Sequence, residues 1–241
     1  MKQYAFLGLG SLGMSMLERV AEITDLVVVI DKSAKRVDRI KDLVRTAFVA
    51  DVMDGEAFER IFPEGIDVAV VDLVPDTEAS LLVTHRLKKL GVKEIIVKTM
   101  SDEMAELAKL AGATRIVDSD REAAARITPM ILSSSLYNFL PIGGDLVMAE
   151  VQVPPSLVGK TIIEADLRQR QGINVVAIRS GGGSAYRGFD RNYRLEKDDL
   201  LLAVGEENDI FGFSGVPRVR TPSSKKSFLG NLMKTFKKTR D

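Results

Sequence analysis

A short apolar segment, 2–7, runs directly into GLGSLG at 8–13, and helical spacing of apolar residues begins at Leu12. No other stretch constrains the chain so strongly. Gly8 permits a tight turn out of a strand. Gly10 lets backbone approach a pyrophosphate with no Cβ between them, and Gly13 lets the helix pack closely on the sheet. The helix N-terminus then offers free N–H groups and the positive end of its dipole to the phosphates. On this reading Gly8, Gly10, Ser11, Leu12 and Gly13 form a nucleotide phosphate loop. A purely structural Gly-rich turn can carry the same letters, so the motif needs its context.

The context is a regular alternation. LVVVI at 26–30 is a continuous apolar run, as a strand buried on both faces of a parallel sheet requires. Further strands are expected at 47–50, 67–73, 94–98 and 115–117. Between them lie helical patterns at 12–23, 34–44 (capped by Ser33), 55–62, from Pro75 to about Leu90, and 101–110. Strand and helix in turn predict an α/β fold, a Rossmann-like doubly wound parallel sheet over 1–118. After Val117 the rhythm changes. Asp120 to Ile127 reads as a helix, Thr128-Pro129 as a break, and 129–139 as a second helix. A linker at 141–144 then leads to a second, smaller α+β domain over 143–214, with strands at 146–153, 173–178 and 200–204.

Asp31 ends the second strand, where a carboxylate can accept hydrogen bonds from the ribose hydroxyls of an adenosine. The same charge repels a 2′-phosphate, which favours NAD(H) or an adenine nucleotide over NADP(H). Lys32 beside it, with Lys35 and Arg36, softens that argument. Asp31 as a cap of the following helix is the plainer alternative. Asp51 and Val52 follow the third strand and can bound the adenine side, although Asp51, like Asp54, can instead cap the 55–62 helix. Lys98 ends the fifth strand within reach of a phosphate, or stands in solvent. His85 reads as a packing or surface residue within a helix. The DSDRE run at 118–122 offers carboxylates to a divalent cation, or complements a helix dipole.

Composition removes other chemistry. With no Cys and one His, thiolate metal sites, Cys nucleophiles and disulfides are excluded, and His acid–base catalysis is weakened. No His–Asp or Lys–Tyr constellation follows the nucleotide motif, so a dehydrogenase lacks its proton donor. No apolar run approaches the roughly 18–20 residues of a membrane-spanning helix. The segment after Met1 does not read as a signal peptide, so the expected setting is the cytoplasm.

These residues together resemble the RCK/KTN (TrkA-like) regulators of potassium transporters and channels. The resemblance covers about 1–213. It is carried by GLGSLG at 8–13, LVVVID at 26–31, ADVMD at 50–54, VAVVDLVPDTEASLL at 68–82, EIIVKT at 94–99 and GATRIVDSDREAA at 112–124. LVGKTIIEADLRQRQGINVVAIRSGG at 157–182 and LEKDDLLLAVGEENDIFGF at 195–213 are similar to the family's C-terminal module. The resemblance implies a non-enzymatic gating subunit. Such subunits dimerise, usually assemble into an octameric ring beneath a potassium transporter membrane subunit, and change shape on exchanging nucleotide. It also implies that Gly8, Gly10, Gly13 and Asp31 hold the nucleotide, with Asp51 and Lys98 at its border. Asp120 would stand where some members place a carboxylate for a divalent cation between subunits. The helix pair around Thr128-Pro129 would be the subunit crossover. Ser11 departs from relatives that carry Arg there and respond to ATP, which shifts weight from ATP toward NAD(H) or ADP. Some relatives bind cyclic di-AMP in the C-terminal module. An NAD-dependent oxidoreductase and a free-standing nucleotide sensor are the competing readings.

Thirty-four basic and 34 acidic side chains make the net charge zero, but they are unevenly placed. From Val216 onward eight basic residues accompany one acid, leaving 26 basic and 33 acidic residues in 1–215. The acidic body argues against a nucleic-acid groove. The basic tail, 215–241, is expected to contact the anionic inner face of the cell membrane or the transporter partner.

Overall fold

A computed structural model describes residues 1–216. It contains two units, Met1–Glu122 and a second beginning at Ala123. The first alternates β1 (Tyr4–Leu7), α1 (Ser11–Ala21), β2 (Val27–Asp31), α2 (Ala34–Asp38), β3 (Thr46–Val49), α3 (Gly55–Ile61), β4 (Val68–Val71), α4 (Thr77–Lys89), β5 (Glu94–Lys98), α5 (Asp102–Ala111) and β6 (Arg115–Val117). The strands are all parallel, in the order β3-β2-β1-β4-β5-β6. The order reverses between β1 and β4, so the crevice at their C-terminal ends is where a ligand belongs in such a sheet.

Side chains that alternate along each strand explain the two-sided core. Ala5, Leu7, Val28, Ile30, Ala69 and Val71 face one layer, with Phe58 of α3 and Val83 and Leu87 of α4. Phe6, Val27, Val29, Val68 and Val70 face the other, with Leu17 of α1. Burial on both sides is why these strands read as unbroken apolar runs.

Local chemistry sets the helix ends, and it moves two of them from expectation. Pro75 does not open α4. It follows a cis Val74–Pro75 bond in the preceding turn, and Asp76 caps the helix by accepting from the Ala79 N–H at 2.9 Å. The helix expected over 34–44 is α-helical only to Asp38. The turns that follow still bury Ile40 and Val44. Nor does the Ser33 hydroxyl cap α2; instead the Ser33 N–H donates to Asp31.

In the second unit the largest correction concerns 128–144. The helix α6 (Ser119–Leu132) passes through Thr128-Pro129 without a break. Pro129 costs it one backbone bond, to the Ala125 carbonyl, and its ring is buried. The expected second helix and linker are a strand, β7 (Leu136–Gly143). It pairs with β8 (Leu146–Gln152) through two register shifts, and Pro141, which has no N–H, lies on this edge strand. The sheet continues through β10 (Leu200–Glu206) to β9 (Asn174–Arg179), all antiparallel, in the order β7-β8-β10-β9. Two short helices, α7 (Ile162–Ala165) and α8 (Leu167–Gln171), precede β9. The last helix, α9 (Glu207–Ser214), buries Ile210 and Phe211, and the Phe211 ring stacks on Phe139 at 5.5 Å. Val216 is also buried in this core, so the folded unit extends past the expected start of the tail at 215. The basic residues assigned to the tail lie outside the described residues.

Candidate functional site

A cavity of about 340 Å³ opens at the C-terminal ends of β1 to β4. Gly8, Asp31, Lys32, Asp51 and Val52 line it, five of the residues expected to bind nucleotide. The apolar walls come from Ile30, Leu73, Pro75 and Ala79. Gly10, Ser11, Leu12, Gly13 and Lys98 are not on this wall. They gather at the N-terminus of α1, which starts at Ser11 with Gly10 as its N-cap.

Asp31 is 3% exposed and ties the loop together. Its Oδ2 accepts from the Leu9 N–H at 2.6 Å and from Arg36 Nη1 at 3.1 Å, and its Oδ1 accepts from the Ser33 N–H at 2.7 Å. A carboxylate has about four lone-pair sites, so one remains for a ligand hydroxyl. Asp31 thus orders the start of the next helix and presents an acceptor to the cavity. Asp54, not Asp51, caps α3, through the Ala57 N–H at 3.1 Å. Asp51 accepts only the Met53 N–H and borders the cavity.

The residue that sequence reasoning missed is Asp72. It follows β4 directly, is 3% exposed, and its Oδ2 accepts from the Gly13 N–H at 2.9 Å. All three motif glycines pack on it. A Cβ on Gly8, which has φ +85°, would strike the Asp72 carbonyl. One on Gly10 would overlap its carboxylate, and one on Gly13 would lie 3.3 Å from its Cβ. Close approach at Gly10 is thus required by this side chain before any ligand is considered. Lys98 Nζ stands 3.8 Å from Asp72 Oδ1 and donates to Ser11 Oγ at 3.0 Å. A signal for Asp72 existed in the sequence: DVAVVDL places an acid at the end of the fourth strand, as LVVVID does at the end of the second. Arg36 and Asp76, which also line the cavity, were likewise not assigned to it.

Asp120 lies exposed in the first turn of α6, where Asp118 accepts the Arg121 N–H at 3.1 Å. Among the described residues no three His, Asp or Glu side chains are placed to hold a metal ion. His85 is exposed on α4 and does not line this cavity. In the second unit a shallower cleft of about 410 Å³ is lined by Ile163, Arg168, Asn174, Val175 and Arg191, among others. No described helix is long and apolar enough to cross a membrane.

Comparison with known proteins gives the same two-part division. The TrkA-N domain model matches residues 4–119, and the TrkA-C domain model matches 146–211. The Ktr system potassium uptake protein C of Bacillus subtilis (strain 168) is 28% identical over 212 residues, 88% of this chain and 96% of its own length. The Ktr system potassium uptake protein A of Vibrio alginolyticus is 27% identical over 209 residues, 87% of this chain and 94% of that protein. Among solved structures, the GsuK RCK domain superposes with a TM-score of 0.59 at 17% identity, covering 89% of this chain and 47% of that one. The GsuK channel bound to NAD gives 0.60 at 18% identity, covering 89% and 39%. The chain thus spans about half or less of those GsuK chains, and the likeness to them is one of fold.

Proposed function

Because this chain belongs to the RCK/TrkA family, with a TrkA-N and a TrkA-C domain, we propose that it is the nucleotide-sensing regulatory subunit of a potassium uptake system. One observation carries the reading. Gly8 at the head of the glycine loop, Asp31 and the Asp51–Val52 turn, far apart in sequence, line a single cavity at the reversal point of a parallel sheet. An adenosine fits its chemistry. The flat base would lie between Val52, Ile30 and the Leu73–Pro75 wall, and a ribose hydroxyl would donate to the spare lone pair of Asp31. The phosphates would reach the Ser11 and Leu12 N–H groups, which have no acceptor within the helix. Lys32, Arg36 and Lys98 supply the nearby cations. NAD(H) is our first candidate and ADP or ATP the second. We assign no catalytic residue.

Regulation needs only differential affinity: a ligand biases a gate by binding one shape of the assembly better than the other. We propose a homo-oligomer, a dimer building an octameric ring, on the cytoplasmic face of the membrane beneath a potassium transporter membrane subunit. Exposed apolar residues on α5 and α6 support assembly: Leu107, Leu110, Ile127 and Ile131 lie open on a single chain. In such an assembly a second copy could complete a divalent cation site at Asp120. The two arginines and Asn174 of the second cleft, beside apolar Ile163 and Val175, suit a ligand with phosphates and flat bases, and cyclic di-AMP is our candidate there.

Asp31→Ala tests the main reading. Losing a hydrogen bond to a charged group should cost roughly 1.5–3 kcal/mol, about 10- to 150-fold in adenine-nucleotide affinity by calorimetry. Unchanged affinity would remove Asp31 from the pocket. Steady hydride transfer from a 2-hydroxy acid to NAD would instead favour the oxidoreductase, and absence of any potassium transporter subunit from membrane co-purifications would favour a free-standing sensor.

A further inference from the structure

The phosphate end of the cavity already holds an anion. Helix α1 has no acid in its first turn and no side-chain cap of its own. Asp72 fills that role from β4, with its carboxylate against the Gly10 backbone and on the Gly13 N–H. Its Oδ1 is buried and has no hydrogen-bond partner. Among the described residues the cation beside it is Lys98, within ion-pair distance at 3.8 Å and itself largely buried. The positive charge that the strand end offers a phosphate is therefore already balanced within the protein. Among the described residues of the cavity wall, Asp31, Asp51, Asp72 and Asp76 stand with two cations, Lys32 and Arg36. Every phosphate charge brought to this end of the open cavity meets a like charge at short range.

We propose that Asp72 is the charge-selecting residue of the nucleotide site, setting it against ligands with a terminal phosphate and in favour of a dinucleotide. The inference rests on the nucleotide-binding reading above. It goes beyond that reading by naming what sorts one adenine ligand from another. The bridging diphosphate of NAD(H) is a diester carrying one negative charge per phosphate. ADP and ATP add a terminal phosphate of higher charge on a flexible chain that leads toward the α1 N-terminus. Ser11 cannot neutralise that charge, and Lys98 is held by Asp72. Repulsion grows with each added charge, so the order of affinity should be NADH, then ADP, then ATP.

The test compares NADH, ADP and ATP by calorimetry on the full chain, without divalent cations, in wild type and in Asp72→Asn. The carboxamide has the shape of the carboxylate and can still accept the Gly13 N–H, but it carries no charge and releases Lys98. ATP and ADP should tighten by roughly tenfold or more, and NADH by clearly less. Equal gains for all three ligands, or no gain for ATP in a variant with wild-type melting behaviour, would overturn the proposal. Wild type supplies a second measurement that does not depend on the variant folding. Raising ionic strength from about 0.02 to about 0.2 M should narrow the NADH-over-ATP preference, because salt screens repulsion. A preference that widens speaks against it. Asp31→Ala separates the two levels of the argument. If nucleotides bind and Asp31→Ala weakens them while Asp72→Asn changes nothing, selection by Asp72 fails alone. If wild type binds none of the three, the nucleotide reading fails and takes this one with it.

Discussion

At the scale of single residues, the described chain shows how a half-buried polar group is defined by what surrounds it. Tyr186 in the second unit donates its hydroxyl to Glu150, whose Oε1 also accepts from Arg179 at 3.0 Å, while the guanidinium lies 5.4 Å from the Tyr186 ring centre. Burial, reinforced by the Glu150 carboxylate, pushes the hydroxyl up to about 12. An unfolded tyrosine releases its proton near pH 10. The folded state therefore holds a proton that the unfolded state has lost between about pH 10 and 12, and stability must fall as pH rises through that window. Below pH 10 the contribution is fully present. Tyr186→Phe should flatten this part of the curve. The difference in urea midpoint between wild type and variant, followed from pH 9 upward, should shrink with pH, whereas a constant difference would show that the hydroxyl does not titrate late. Asp31 and Asp72 give the complementary lesson. Both end apolar strands, and that was legible. Which backbone N–H groups they accept depends on how two remote loops meet, and a linear pattern does not carry that.

At the scale of elements, helix α5 was placed well from sequence because its cap is local. Ser101 caps α5, its Oγ accepting from the Met104 N–H at 3.2 Å, and Gly112 ends the helix with φ +127°. Ser101→Ala should lower stability by about 1 kcal/mol, seen as a lower urea midpoint with an unchanged denaturant slope. No loss would mean that the two acids in the first turn, Asp102 and Glu103, suffice for the helix terminus. The parallel strands were legible for a related reason: a strand buried on both faces announces itself as an apolar run. Strand β7 did not. Only Leu136 and Phe139 of the first four residues are buried, and the register shifts break the period of two on which strand recognition rests. Pro129 misled in the other direction. A proline inside a pattern reads as a stop, yet this one is buried and costs a single backbone bond, and the chain went on to Leu132. α1 takes its cap from Asp72, directly after β4, and no local sequence rule would have found it.

At the scale of the whole molecule, the zero net charge separates into an acidic folded part and a basic end. All eight basic residues counted from Val216 onward lie beyond Val216 itself, which is buried in the core of the second unit. The charge boundary thus falls where the described fold stops. The 1–216 part carries 26 basic and 33 acidic side chains, so it should be repelled by an anionic bilayer, while 217–241 should be attracted. Each Lys or Arg close to such a surface contributes about 1 kcal/mol, and the attraction decays within a Debye length of about 8 Å at physiological salt. Seven net positive charges are enough to hold the chain at a membrane against the repulsion of its body. Vesicles containing anionic lipid should therefore co-sediment the full chain at low salt and release it near 0.5 M salt, where the Debye length falls to about 4 Å. A chain ending at Val216 should stay in the supernatant while binding NADH as the full chain does. Co-sedimentation of the shortened chain would place the membrane contact in the folded units instead, and salt-resistant sedimentation of the full chain would point to apolar insertion of Phe228, Leu229, Leu232, Met233 and Phe236 rather than charge.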